Sequence, residues 1–396
     1  MMDLNSIKRA SIATRAIFLV CGLGIASWAP MVPLVKERLQ VNDASLGLLL
    51  LFLGGGAISM MPISGVLGHR YGSRVLILVA ALLLAVMLPL LILFSSVLLM
   101  GIALFVFGAA VGTLDVAMNS HAVQVQNRYG KHIMSSMHGL FSVGGLLGSL
   151  GLGFLIKLGL QPMYAAVSIG ILIVLIVIVT YSSLFTASIE KETIQEDGEV
   201  EEVRIKPVGK FLWLHASVLS LGAMCFAAFL AEGSILDWSA VFLKENRGVE
   251  EGFAGIGYAA FSLAMATMRL LGDGIINRLS AKKIVVGGGL IAAFGLFLAV
   301  IVPHTVVSLL GFVLLGIGAA NIVPVFFTEG GKLKNVPPSI AIPAITTIGY
   351  AGQLAGPALL GLIAHHFSLP IALGFSGFLL MLVAIAYLRK KTDSPK

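Results

Sequence analysis

Twelve apolar stretches, each long enough to cross a bilayer, leave this chain few folds to choose from. About 20 consecutive apolar residues span the hydrocarbon core as a helix. The stretches lie at approximately 14–35, 45–68, 74–94, 97–123, 135–158, 162–185, 211–243, 252–276, 283–302, 306–328, 338–363 and 368–388. The residues are 58% hydrophobic and 11% charged, with a mean hydropathy of +1.00, outside the range of a soluble domain of this size. The expected fold is an all-α membrane protein of twelve transmembrane helices. No soluble catalytic or nucleic-acid-binding domain is left to place.

The formal net charge of +7 would suit a nucleic-acid partner only if it formed a patch, and its distribution says otherwise. With the N-terminus in the cytoplasm, 20 of the 26 Lys and Arg fall in cytoplasmic segments, from Lys8, Arg9 and Arg15 to Arg389, Lys390, Lys391 and Lys396. Five fall opposite: Lys36, Arg38, Lys157, Lys244 and Arg247. This is the positive-inside pattern of a multi-pass protein, read as a bacterial inner-membrane protein with both termini cytoplasmic. The basic charge reports topology, and the expected partners are the lipid bilayer, a small solute and protons, with no nucleic acid. A monomer is expected.

Lys8 and Arg9 before an apolar run could open a cleavable signal peptide, but the run is long enough to span and is expected to be retained. Cys21 and Cys225 provide neither a disulfide framework nor a metal spacing, and no metal or cofactor is expected.

Sliding the sequence against itself by 208 positions exposes an internal repeat. Gly47 falls on Gly255, Arg70 on Arg278, Arg74 on Lys282, Gly108 on Gly316, Gly144 on Gly352, Gly148 on Gly356, Gly153 on Gly361 and Pro162 on Pro370. With a two-residue slip Trp28 falls on Trp238. The expected organisation is a six-helix bundle over 1–186, a polar cytoplasmic linker over 187–210 and a second six-helix bundle over 211–396. The two bundles are related by a pseudo-two-fold axis along the membrane normal. Secondary transporters built on this plan bind solute between the halves, near mid-membrane.

The turn Gly65-Val-Leu-Gly-His-Arg-Tyr-Gly-Ser-Arg74 resembles the Gly-x-Leu-x-Asp-Arg-x-Gly-Arg-Lys signature of the major facilitator superfamily, and Gly272 to Lys283 is its repeat mate. His69 stands where the signature has Asp, and Asn277 stands at the same place in the second copy, a departure from the acid-mediated cytoplasmic latch. Three further motifs resemble the fucose-permease-like branch and its rhizopine-permease-like relatives: Gly112-Thr-Leu-Asp-Val-Ala-Met-Asn119, Met137-His-Gly-Leu-Phe-Ser-Val-Gly-Gly145 and Ala231-Glu-Gly-Ser-Ile-Leu-Asp-Trp238. That resemblance implies proton-coupled import of sugars or polyols. It also implies a proton-coupling acid at Asp115, where the branch has Glu; the branch's acid in the first span has no counterpart between Ala16 and Val35.

Only Asp115, Glu232 and Asp237 among the 19 acids lie well inside spans. Intramembrane carboxylates usually mark ion or substrate pathways. Asp115 and Asn119 sit one turn apart on the helix face that carries Gly108 and Gly112, which must look into protein. Glu232 and Asp237 are separated by about 7.5 Å of helix, and Gly233 between them is a place where the helix could break. Trp28 and Trp238 would serve as walls for a sugar ring or as interfacial anchors. Asn321, Tyr350 and Gln353 complete the expected substrate-binding set. His138 reads either as a headgroup-level or helix-bonded histidine or as a proton relay. Arg269 is read as pairing with Asp273 one turn on, at a cytoplasmic gate that also holds Arg70, Arg74 and Arg278.

This inventory suits a neutral polyhydroxylated solute moved with protons by alternating access, Asp115 and Glu232 being the coupling acids. A proton-driven exporter of drugs or metabolites uses the same acids to bind cations. A receptor or scaffold that transports nothing would not need them. An intramembrane enzyme has no support, for want of a metal-ligand spacing or a nucleophile and base pair.

Overall fold

The computed structural model describes residues 4–130, 133–189, 214–271, 279–333, 336 and 338–390. Among these, twelve helices are long and apolar enough to cross a membrane. They are span 1 (Leu4–Leu39), span 2 (Asp43–Gly68), span 3 (Ser73–Leu93), span 4 (Val97–Tyr129), span 5 (Ser136–Lys157) and span 6 (Pro162–Tyr181) in the first half. The second half holds span 7 (Ala216–Arg247), span 8 (Glu251–Leu270), span 9 (Ala281–Ile301), span 10 (Thr305–Gly330), span 11 (Ile340–His366) and span 12 (Leu369–Arg389). Twelve crossings bring both chain ends to one face, the near side; the other face is the far side. The expected linker lies almost wholly outside the described residues.

Helix ends follow local chemistry. Asn42 and Ser280 accept a hydrogen bond from the backbone N–H of Ser45 and Lys283, capping spans 2 and 9. Spans 4 and 7 stop at Gly130 and Gly248, whose φ of 66° and 65° a side chain would disfavour. Two breaks were not expected. Span 1 is interrupted inside its apolar stretch by a tight turn at Ala29–Met31, because Pro30 and Pro33 each remove a helix hydrogen bond. Span 10 divides into Thr305–Ala319 and Ile322–Gly330, because Pro324 cannot donate to the carbonyl of Ala320. Span 7, where Gly233 suggested a break, is one helix from Ala216 to Arg247.

The repeat is physical. Span 1 packs on 5, 2 on 4 and 3 on 6; their mates 7 on 11, 8 on 10 and 9 on 12 do the same. The repeated glycines mark close backbone approaches that this packing needs. A Cβ on Gly108 would overlap the Leu53 carbonyl, and one on Gly316 would crowd the Phe261 carbonyl, which is the same contact 208 residues on. Gly112 likewise lies on Ala57. Helices in lipid gain little from hydrophobic burial against each other, so such close van der Waals contact carries their association. The halves meet along spans 2 and 11 and along spans 5 and 8.

Gly108 and Gly65 therefore respond oppositely to a methyl group. Gly65 has nothing within 4 Å of its would-be Cβ. Gly108→Ala is expected to cost about 1–3 kcal/mol through overpacking, whereas Gly65→Ala gains up to about 1 kcal/mol from a better helix residue. Thermal unfolding in detergent checks this, and equal midpoints for the two variants would contradict the packing.

Candidate functional site

A cavity of about 630 Å³ lies on the seam between the halves, lined from spans 1, 2, 4 and 5 on one side and spans 7, 8, 10 and 11 on the other. Asp115, Glu232 and Asp237 all line it, as do Asn321, Tyr350 and Gln353. Residues distant in sequence thus share one space.

Asp115 stands among Cys21, Leu50, Leu53, Val111 and Met118, an apolar wall contributed by the first half. Its hydrogen-bond partner is an amide: Asn119 Nδ2 donates to its carboxylate at 3.2 Å and to its backbone carbonyl at 2.9 Å. Asn119, expected to bind substrate, instead folds back to hold Asp115 and does not line the cavity. The i, i+4 spacing that put the two on one face explains why they find each other first.

Glu232 faces it from the second half. Arg269 Nη2 donates to Glu232 Oε2 at 3.2 Å, joining spans 7 and 8, while Glu232 Oε1 is buried with no hydrogen-bond partner among the described residues. Arg269, expected at a near-side gate, lies in the last turn of span 8 and lines the cavity there. Its proposed partner Asp273, and Arg278 with it, lie outside the described residues. Placing a guanidinium where it meets a mid-membrane carboxylate removes the cost of leaving either charge alone. Arg70 and Arg74 do sit at the near-side turn, each over an aromatic ring: Arg70 over Tyr71 at 5.3 Å and Arg74 over Tyr181 at 4.0 Å.

Asp237 lies five residues beyond Glu232, about 7.5 Å farther along an unbroken helix. It forms the far-side end of the cavity, where the Trp28 indole approaches its carboxylate without reaching hydrogen-bonding geometry. Trp28 and Trp238 are both fully buried and neither lines the cavity, so they are neither interfacial anchors nor walls for a ring. The proline-broken stretch of span 1 turns Trp28 into the protein instead.

Aromatic walls exist elsewhere. Phe229 and Tyr350 stack at 5.1 Å with an interplanar angle of 11°, joining spans 7 and 11. Phe141 and Phe327 add two more rings, and Met61, Met118 and Met134 supply pliable apolar surface. Sequence reasoning missed these residues because in an apolar chain they look like any other packing residue. Asn321 sits at the break in span 10 and donates to the Met268 carbonyl at 3.4 Å. Gly233, instead of breaking span 7, leaves room for Gln353 to lie across it. His138 lines the cavity, its ring edge-on to Phe18 at 5.3 Å, and so is not a headgroup-level residue.

The far side is shut. Gly47 and Gly361 bring spans 2 and 11 into backbone contact there, and Gly153 and Gly252 do the same where span 5 meets the start of span 8. The cavity extends the other way, toward Met61, Met134 and Phe327.

Removing one member of the Glu232–Arg269 pair should cost more than removing both. Arg269→Gln leaves a carboxylate facing an apolar cavity and is expected to cost about 3 kcal/mol, while Arg269→Gln with Glu232→Gln recovers most of it. Thermal unfolding of the two single variants and the double variant measures the coupling; strictly additive losses would contradict it.

The Major Facilitator Superfamily profile matches residues 16–332. The chain is 44% identical over 373 residues to an uncharacterised MFS-type transporter of Yersinia pestis, covering 94% of each. It is 34% identical over 373 residues to the uncharacterised transporter y4wD of Sinorhizobium fredii, covering 93% of this chain and 94% of that one. It is also 30% identical over 382 residues to the membrane protein MosC of Rhizobium meliloti, covering 96% and 89%. Two solved structures share the fold: the nucleoside transporter NupG, with a TM-score of 0.71 at 14% identity over 99% of this chain and 100% of that one, and a bacterial homologue of the lysosomal transporter Spinster, with a TM-score of 0.69 at 14% identity over 95% of each. The chain belongs to the Major Facilitator Superfamily and is a multi-pass membrane transporter.

Proposed function

We propose that the chain moves a small polar solute, sugar-like or polyol-like, together with protons, and that it does so by alternating access. The observation that carries this reading is the convergence of Asp115, Glu232 and Asp237 on one cavity between two repeated halves. A lone carboxylate in a bilayer costs about 3 kcal/mol at the least. Asp115 is met by an amide and not by a cation, so the first half bears that cost for one acid in an apolar wall. An acid in a cavity that opens to each side in turn can load a proton from one side and release it to the other.

The halves divide the work. The first supplies Asp115, the coupling acid, with His138 nearer the near side. The second supplies nearly all the solute-binding polarity: Asn321, Gln353, Tyr350 and the Glu232–Arg269 pair, beside the stacked Phe229 and Tyr350. Neutral hydrogen-bonding groups beside a ring suit a hydroxylated solute. The Lys and Arg bias supports a cytoplasmic near side, on which the described state is inward-facing and the protein an inner-membrane carrier. Rocking the halves about the cavity would exchange the near opening for a far one.

A second reading, export of amphipathic cations, draws on Asp237 having no basic partner among the described residues and on the methionine and phenylalanine lining. Thermal-shift screening of purified protein with sugars, polyols and hydrophobic amines separates the two. Stabilisation by hydroxylated solutes is expected, and stabilisation by amines alone would overturn the leading reading. With an active solute in proteoliposomes, Asp115→Asn is expected to lose accumulation driven by a proton gradient and to keep solute exchange. Undiminished accumulation would show that Asp115 does not couple.

A further inference from the structure

Six charged residues at the far side fall into three pairs of repeat mates. Lys36, Glu37 and Asp43 of the first half correspond at the 208-residue offset to Lys244, Glu245 and Glu251 of the second. Their contacts obey the same two-fold relation. Lys36 Nζ lies 2.6 Å from Glu245 Oε1, and Lys244 Nζ lies 2.8 Å from Glu37 Oε2. Each of these ion pairs crosses from one half to the other, as a self-complementary interface requires. Each lysine also has an acid in its own half: Lys36 lies 2.6 Å from Asp43 Oδ1, and Lys244 lies 3.8 Å from Glu251 Oε2.

We infer that this network is a two-fold-symmetric far-side latch, in which the cross-half pairs hold the mouth shut and the same-half pairs keep each lysine partnered when the mouth opens. The inference rests on the alternating-access reading, since only a chain whose halves separate needs such a device. Opening breaks two ion pairs, and the acids it frees, Glu37 and Glu245, are already 61% and 41% exposed, so water can take them over. The lysines are only 13% and 20% exposed, and they are the groups left with a partner. No shielded cation is stranded, which would make the open state prohibitive.

A second pair of near-mates fastens the latch-bearing helix ends to their own halves. Arg38 Nη2 donates to the Leu91 carbonyl of span 3 at 2.8 Å. Arg247 Nη2 donates to the Ala299 carbonyl of span 9 at 2.7 Å, and Leu91 and Ala299 are again 208 residues apart. Arg247 Nε donates further to Ser308 at 2.8 Å. The end of span 1 must move with the first half and the end of span 7 with the second, so separation of the halves acts directly on the cross pairs.

Spin labels on Gln161→Cys and Phe367→Cys, exposed far-side positions in opposite halves, report the mouth by distance measurement once Cys21 and Cys225 are replaced by Ser. The double variant Glu37→Gln with Glu245→Gln removes only the cross pairs. It is expected to raise the ratio of long to short distances by roughly threefold or more. Asp43→Asn with Glu251→Gln removes only the same-half pairs and is expected to leave that ratio unchanged or lower it. An equal shift in both double variants, or none in the first, overturns the latch whatever solute uptake shows. Distances that respond as expected in a protein that accumulates no solute would count against the transport reading alone.

Discussion

A carboxylate inside a bilayer must be given a partner by the fold, and the middle of this molecule is arranged around three of them. Glu232 receives a guanidinium from the neighbouring span, Asp115 an amide from its own helix, and Asp237 the approach of a buried indole. The strength of these partners falls in that order. The second half keeps a nearly neutralised pair amid polar groups, and the first keeps an acid whose charge is answered only by a dipole. The proposed division into a solute-binding half and a proton-handling half rests on that difference.

The internal repeat decides how this asymmetry can sit in a symmetric frame. Glycine contacts recur at a fixed offset because both halves need the same helices at the same distance, as Gly108 on Leu53 and Gly316 on Phe261 illustrate. The far-side charges recur because the same surface meets itself across the two-fold axis. Symmetry is kept where the halves must pack and part. It is abandoned in the cavity, where Asp115 and Glu232 have no counterparts of their own kind at the matching positions.

Most of the frame was legible in the sequence. Span length and the offset of 208 depend on residue type alone, and the polar residues of the cavity stood out against an apolar background. What was hidden depends on direction. Asn119 and Asp115 share a face, but spacing does not say whether the amide points at a solute or at its neighbour. Arg269 had an acid one turn on, which concealed that Glu232, 37 residues away, was in reach. The helix break was sought at Gly233 and occurs beside Asn321, since a missing proline donor disrupts a helix more than a glycine does. Phe229 and Phe141 could not be told from lipid-facing phenylalanines until the helices were placed.

Access from both sides to one cavity position tests the account most directly. Met118 lines the cavity beside Asp115. A single cysteine in its place, with Cys21 and Cys225 replaced, can be exposed to a membrane-impermeant thiol reagent in right-side-out and inside-out vesicles. The account predicts modification from either face, with conditions that favour one protecting against the other. Reaction from one face only, under every solute and proton gradient, would contradict it.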